Sequence, residues 1–376
     1  MKKLWRKLPP PAPDTSGVAN ALFGMEGLLL FDDVQGCASN YCIYDETRAS
    51  ERVNVFPAQL SDMDVIMGTR EQLRRRLKEL YDEMPECRFI ALAGSPISML
   101  IGTDLKAACL EITEEYGVPA FPIDVTGHRF YDVGAAAAML AMGRCILDGE
   151  RREIPGTVNL LGALTMDLGT KNIVALHGFF EQQGLEVISK WGCIDTLDNL
   201  KNSVNAAVNV VVAGCGLPLA RMMKRKYGIP YTVGVPCGSR PGLPARTDAS
   251  GARGPIPPVR PDRALIIGEQ VLAGSIRNML RCDYGITDVT VSSFFEMDAE
   301  LLEPGDERLS SEDEAQKLIN SRPFDLIIGD PFYERLAANT PARYKCLPHI
   351  AVSSKIYEDD ILDIIGAKGN AWFEQG

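Results

Sequence analysis

The chain has 376 residues, 46% hydrophobic and 24% charged, with a formal net charge of −11. That composition fits an ordinary globular protein of two or three domains at roughly 100–200 residues each. The acidic balance argues against nonspecific binding to nucleic acid or an anionic membrane, and no apolar run approaches the roughly 20 residues of a membrane-spanning helix.

The opening segment, MKKLWRKLPPPAPD, carries basic residues but no apolar stretch before its prolines, so it does not read as a secretory signal. A cytoplasmic location is the expectation. The chain has ten cysteines, and in a reducing compartment these are thiols, either packed as small hydrophobes or ligating metal.

Short apolar runs ending at Gly or Asp then recur along the chain: Gly27–Asp33, Arg88–Gly94, Asn172–Leu176, Val208–Gly214, Ala264–Gly268 and Asp325–Asp330. They read as strands buried on both faces, as in parallel sheets. Between them lie helical patterns. Leu73, Leu77, Leu80, Tyr81 and Met84 form one apolar stripe, and Leu105, Ala108, Cys109 and Ile112 another, with Thr103 and Asp104 as its start. Alternating strands and helices make the class α/β.

Two boundaries stand out. Gly149–Gly156 is charged and ends in Pro-Gly, and Cys237–Pro261 is rich in Pro, Gly and Arg without apolar periodicity. The expected organisation is an N-terminal Rossmann-like domain at 1–150, a second at 151–236, a linker at 237–261 and a third at 262–376.

No GxxxxGK[ST] phosphate loop occurs, so the chain is not expected to bind ATP by that device. Gly214-Cys215-Gly216 follows a strand but lacks the third glycine of a dinucleotide fingerprint, and reads as a strand-to-helix turn. The three histidines, His128, His177 and His349, have no metal-ligand spacing.

Several segments together resemble the nitrogenase component 1 family. They are the strand and Gly-Cys turn of GLLLFDDVQGC (Gly27–Cys37), LSDMDVIMGTREQLRRRLKEL (Leu60–Leu80), ALAGSPISMLIGTDL (Ala91–Leu105), YGVPAFPIDVTG (Tyr116–Gly127), Asn205–Gly238 and Asp325–Pro348. The resemblance implies three Rossmann-like domains with mostly parallel sheets, and ligands between them at strand carboxyl ends. It implies a subunit that receives low-potential electrons from an ATP-hydrolysing iron protein and passes them, through an iron–sulfur cluster of the 4Fe-4S type, to a substrate in the interdomain cleft. The partner subunit is then a second copy or a paralogue. A noncatalytic reading stands beside it: a cofactor-assembly scaffold, or a binder of a tetrapyrrole or metal cofactor.

The departures from that family pattern matter as much. Of the three N-terminal loops where members often carry cysteine, only the second has one, Cys37. The first offers Asp14 and the third Ser95. By resemblance the metal ligands are Cys37, Cys42 and Asp14, with Ser95 as a further cofactor contact. Two chains around a twofold axis would bring the two cysteines to four. Each of these also has a plain reading: buried thiols beside Tyr41 and Tyr44, a turn or cap at Asp14, a loop hydroxyl at Ser95. His128, after VTG on a loop, is the candidate proton donor, or a surface histidine. Cys193, Cys215 and Cys237 lie near strand ends in the second domain. Arg240, Arg246, Arg253 and Arg260 offer either grips for an anionic substrate or solvated charge. The family's cofactor-holding cysteine and histidine have no convincing equivalents, which sets dinitrogen reduction aside.

Overall fold

The computed structural model describes residues 5–37, 40–48, 53–239 and 262–375. Most of the linker expected at 237–261, with Arg240, Arg246, Arg253 and Arg260, lies outside them. Three parallel sheets follow one another along the chain. The first is built from β1 (Leu28–Phe31), β2 (Val55–Pro57), β3 (Ile90–Ala93) and β4 (Ala120–Ile123), in the order β2-β1-β3-β4. Its helices are α1 (Asp14–Leu22), α2 (Asp62–Met67), α3 (Arg70–Glu83), α4 (Pro96–Ile101), α5 (Leu105–Tyr116) and α6 (Tyr131–Ile146).

The second sheet runs β6-β5-β7-β8, from β5 (Ile154–Leu161), β6 (Glu186–Trp191), β7 (Ala206–Val211) and β8 (Tyr231–Val233), with α7 (Thr165–Gln182), α8 (Leu197–Asn202) and α9 (Leu217–Tyr227). The third runs β11-β10-β9-β12-β13, from β9 (Arg263–Ile267), β10 (Asp288–Ser293), β11 (Glu307–Arg308), β12 (Leu326–Gly329) and β13 (Arg343–Cys346). Around it lie α10 (Gln270–Tyr284), α11 (Glu312–Ser321), α12 (Glu334–Ala337), α13 (Ile350–Ser353) and α14 (Lys368–Glu374). Every ladder within these sheets is parallel.

The alternation of side chains across each strand sets where the core lies. Leu28 and Leu30 of β1 point outward to Leu73, Leu77 and Leu80 of α3 and Ile112 of α5. Leu29 and Phe31 point the other way, into a core shared with Leu161 of β5, Val211 of β7, Leu265 and Ile267 of β9, and Ile327 of β12. One face of each sheet therefore turns toward a common interior. Burying a leucine there stabilises the fold by about 1.5–3 kcal/mol.

Helices α1 and α6 cross inside this interior, and the crossing requires glycine. A Cβ on Gly17 would sit 1.8 Å from the Tyr131 carbonyl oxygen, and one on Gly134 would sit 1.8 Å from that of Asp14.

One expected strand is corrected. Asn172–Leu176 lies in helix α7. Leu168, Asn172, Ile173, Leu176 and Phe180 are buried while Val174 is exposed, a helical period that a five-residue apolar run cannot distinguish from a strand. The strand that opens the second sheet is β5, whose Pro155 and Gly156 disguise it.

Candidate functional site

Two regions gather chemistry: the loops at the carboxyl edge of the first sheet, and the junction where the three sheets meet. At the edge, Ser95 caps α4. Its hydroxyl accepts from the amides of Ile97 (3.1 Å) and Ser98 (3.2 Å) and donates to the carbonyl of Asp32 (2.6 Å). Asp14 opens α1, and its carboxylate accepts from the amides of Thr126 (3.1 Å) and Gly127 (2.7 Å). Gly127 in turn abuts Pro96, which a Cβ there would meet at 2.7 Å. The loops after β1, β3 and β4 thus adjoin.

Cys37 ends a short turn after β1 and is exposed. Burial of part of the thiol and the charge of Asp33, with which it hydrogen-bonds, push its pKa up. Cys42 is half-buried with Sγ 3.6 Å from the Val55 carbonyl. Burial, then the charge of Glu46, pushes its thiol up to about 12. Between the two stands Tyr41, stacked on Phe31 at 4.3 Å and held un-ionised by burial and by Asp33, Cys42 and Cys37. Among the described residues no three His, Cys, Asp or Glu side chains are grouped to hold a metal ion.

The same edge is apolar at its rim. Ile66 and Met67 on α2 are 74% and 77% exposed, and Leu100 on α4 is 79% exposed.

The junction is buried. Tyr131, first residue of α6, donates its hydroxyl to Asp167 Oδ1 on α7. His349 Nε2 lies 2.9 Å from the same oxygen and 3.3 Å from the Tyr131 hydroxyl. The backbone N–H of His349 donates to Asp330 at 2.9 Å, and Ser353 donates to the same oxygen at 2.8 Å. One residue from each sheet unit therefore meets at Asp167, whose other oxygen has no partner.

Beside this cluster lies a cavity of about 330 Å³, bounded by Asp132, Cys215, Arg221, Glu269 and Phe295. Glu269 caps α10 and accepts from Gly214, Val271 and Leu272 amides at 2.8–3.0 Å. Burial, then the charge of Asp167, raises it to about 7. Burial raises Asp132 to about 6, against the hydrogen bond that the Glu296 amide donates to it. Cys215 is fully enclosed, and burial followed by the charges of Asp167, Glu269 and Asp132 holds it as a thiol. Burial thus pushes the carboxyls of Asp132 and Glu269 toward the protonated form beside one cavity, a perturbation of the kind found where a general acid or base works.

His128 is exposed and opens on a second cavity of about 570 Å³, lined also by Pro9–Pro13, Asp45, Phe130 and Ile350–Ser354. Tyr131 stands between Phe130 on this cavity and Asp132 on the smaller one. Of the other second-domain cysteines, Cys193 is buried and Cys237 packs with Sγ 3.5 Å from Met279 Sδ. The structure thus brings the loops of Asp14, Ser95 and Cys37 together, and His128, next to the Gly127 that Asp14 binds, faces the larger cavity.

Sequence reasoning did not find Tyr131, Asp132, Asp167, Glu269 or His349. A signal existed for Glu269: it follows the apolar run Ala264–Gly268, at the carboxyl end where open α/β sheets bind ligands.

With this geometry in hand, comparison with known proteins is informative. The family described as nitrogenase component 1 type oxidoreductase matches residues 15–241. The nitrogenase iron-molybdenum cofactor biosynthesis protein NifE of Clostridium pasteurianum is 28% identical over 201 residues, covering 52% of this chain and 43% of that protein. The nitrogenase molybdenum-iron protein alpha chain of Azospirillum brasilense is 26% identical over 183 residues, covering 47% and 38%. The matched part thus spans about two fifths of these relatives' length. A solved structure of nitrogenase Cp1 at pH 6.5 superposes with a TM-score of 0.71 at 13% identity, covering 99% of this chain and 92% of that one. That is a likeness of fold.

Proposed function

The chain belongs to the nitrogenase component 1 type oxidoreductase family, and from that premise we propose that it is the electron-accepting subunit of a two-component reductase. Its donor is an ATP-hydrolysing iron protein, and its substrate binds where the three sheets meet. Dinitrogen lies outside the proposal.

The observation that carries the reading is the exposed thiol of Cys37 at the carboxyl edge of the first sheet, beside the apolar rim of α2 and α4. Exposed apolar side chains gathered at one edge suit a protein partner. Asp14 and Ser95 are engaged by backbone groups, and Cys42 is turned toward Val55. One chain therefore offers a single open thiol on this face. A four-iron cluster takes four ligands, usually thiolates, so this chain supplies one of them and a paralogous partner subunit supplies the rest. When bound, such a cluster supplies one-electron transfer at low potential. Cys37 would hold it as the thiolate, a form that burial and then the charge of Asp33 disfavour. At the junction, Asp132 and Glu269 hold or release protons beside the bound substrate.

A second reading has its own observation. NifE of Clostridium pasteurianum, matched at 28% identity, is a cofactor biosynthesis protein, and a chain this poor in free donors suits transient holding of a cofactor. Reduction of the anaerobically purified protein by an iron protein with MgATP, followed by electron paramagnetic resonance, separates the two. A new paramagnetic signal that decays on turnover supports the reductase. Iron without any reducible signal supports the scaffold.

A further inference from the structure

We propose that the cavity at the three-sheet junction binds a compact organic cation, an ammonium or amidinium group on an apolar frame. The inference deepens the proposed reading of the junction as the substrate site, and rests on it for what becomes of the ligand but not for its binding.

The cavity's polar groups are unevenly engaged. Four carboxylates line the cavity, Asp132, Glu269, Glu296 and Asp298, against one guanidinium, Arg221. Arg221 is already committed. It donates to both oxygens of Asp298, at 2.6 and 2.9 Å, and to Glu300 at 2.8 Å. An anionic ligand would find no free cation among the described lining residues. The start of α10, which faces the cavity, is likewise taken. Glu269 accepts the amides at the start of α10, and Gln270 exchanges hydrogen bonds with the backbone of Asp298, at 2.6 and 3.1 Å.

What remains is Asp132. Its side chain is only 8% exposed. Oδ2 accepts from the Glu296 amide at 2.8 Å, and Oδ1 is buried with no partner. An unpaired buried carboxylate oxygen costs the fold free energy until a donor reaches it, so the cavity favours a ligand that brings one. A bare metal ion is the poorer occupant, because the described acids are not grouped as a metal site. The remaining wall, with Val133, Ala136, Leu217, Pro218 and Phe295, is apolar. It suits a hydrocarbon frame, and an aromatic face attracts a cation.

The test uses the full-length chain and three size-matched probes in titration calorimetry at pH 7.5: benzylammonium, benzyl alcohol and benzoate. Benzylammonium should bind at least tenfold more tightly than benzyl alcohol, and benzoate more weakly than either. Asp132→Asn should reduce the preference for the cation below threefold. Ala136→Leu, which fills the cavity without touching a charge, should abolish binding of all three, and it decides the matter if Asp132→Asn does not fold. Equal binding of cation and alcohol, or a preference that survives either variant, overturns the proposal. Iron content and reductase turnover are read separately. A protein without iron that still prefers benzylammonium removes the redox reading and keeps this one. A protein with iron and turnover but no preference does the reverse.

Discussion

The carboxyl edge of the first sheet and the three-sheet junction differ in how their polar groups are used. At the edge, Asp14 and Ser95 are absorbed by backbone amides, and Cys37 is left open to solvent. At the junction, acids are buried deeply, and Asp132 and Asp167 each keep one oxygen without a partner. The edge also buries Asp32 Oδ1 and the Tyr41 hydroxyl without partners, but its Cys37 thiol faces solvent. The junction costs the fold free energy and is complete within it, which is what a binding or proton-handling site looks like.

The comparison breaks most completely if the two regions are prised apart. Helix α1 begins at the edge with Asp14, and α6 begins at the junction with Tyr131. Their glycine crossing joins the two. Gly134→Val places side-chain atoms on the Asp14 carbonyl, and the expected loss exceeds about 4 kcal/mol. Denaturant unfolding, or absence of soluble protein, checks it.

Next in size is the junction cluster. Asp167→Ala removes the acceptor that Tyr131 and His349 share and leaves them only each other, 3.3 Å apart. The expected cost is about 3 kcal/mol. Tyr131→Phe should cost about 1–2 kcal/mol. A double-mutant cycle should return a coupling well above zero, and strict additivity would mean that the cluster is not a unit.

Stability against pH sharpens the contrast further. Glu269 is raised from 4.5 to about 7 and Asp132 from 3.8 to about 6, in both cases first by burial. The folded state therefore binds these protons more tightly than the unfolded state does. Their protonation stabilises the fold, so unfolding free energy should fall as pH rises from the ordinary carboxylate range to about 7, then level off. Asp298 and Glu303, held low by hydrogen bonds from Arg221 and Arg281, act with the opposite sign in more acidic solution. Glu269→Gln should flatten the decline between pH 5 and 7 in a melting series. A decline of unchanged slope would count against a buried, strained acid.

The smallest effect belongs to the edge. Cys37→Ala removes an exposed side chain and should change stability by under about 0.5 kcal/mol.

Most of the fold was legible in the sequence because double-sided burial leaves a continuous apolar run, as at Leu28–Phe31 and Leu326–Gly329. It failed at Asn172–Leu176, where a helix face and a strand look alike over five residues. The edge site was legible only through family resemblance, and the caps that engage Asp14 and Ser95 depend on where Thr126, Gly127 and Asp32 fall in space. The junction was hidden for a different reason. Tyr131, Asp167 and His349 are far apart in sequence, and nothing in local spacing announces that three helix starts converge.

We propose that Cys37 holds an iron–sulfur cluster at this edge. The direct measurement is iron, acid-labile sulfide and visible absorption in anaerobically purified wild type and Cys37→Ala. All three should be present in the wild type and lost in the variant, whose melting temperature should match that of wild-type protein stripped of iron. Iron and absorption that persist in Cys37→Ala, or a wild type with neither iron nor sulfide, would contradict it.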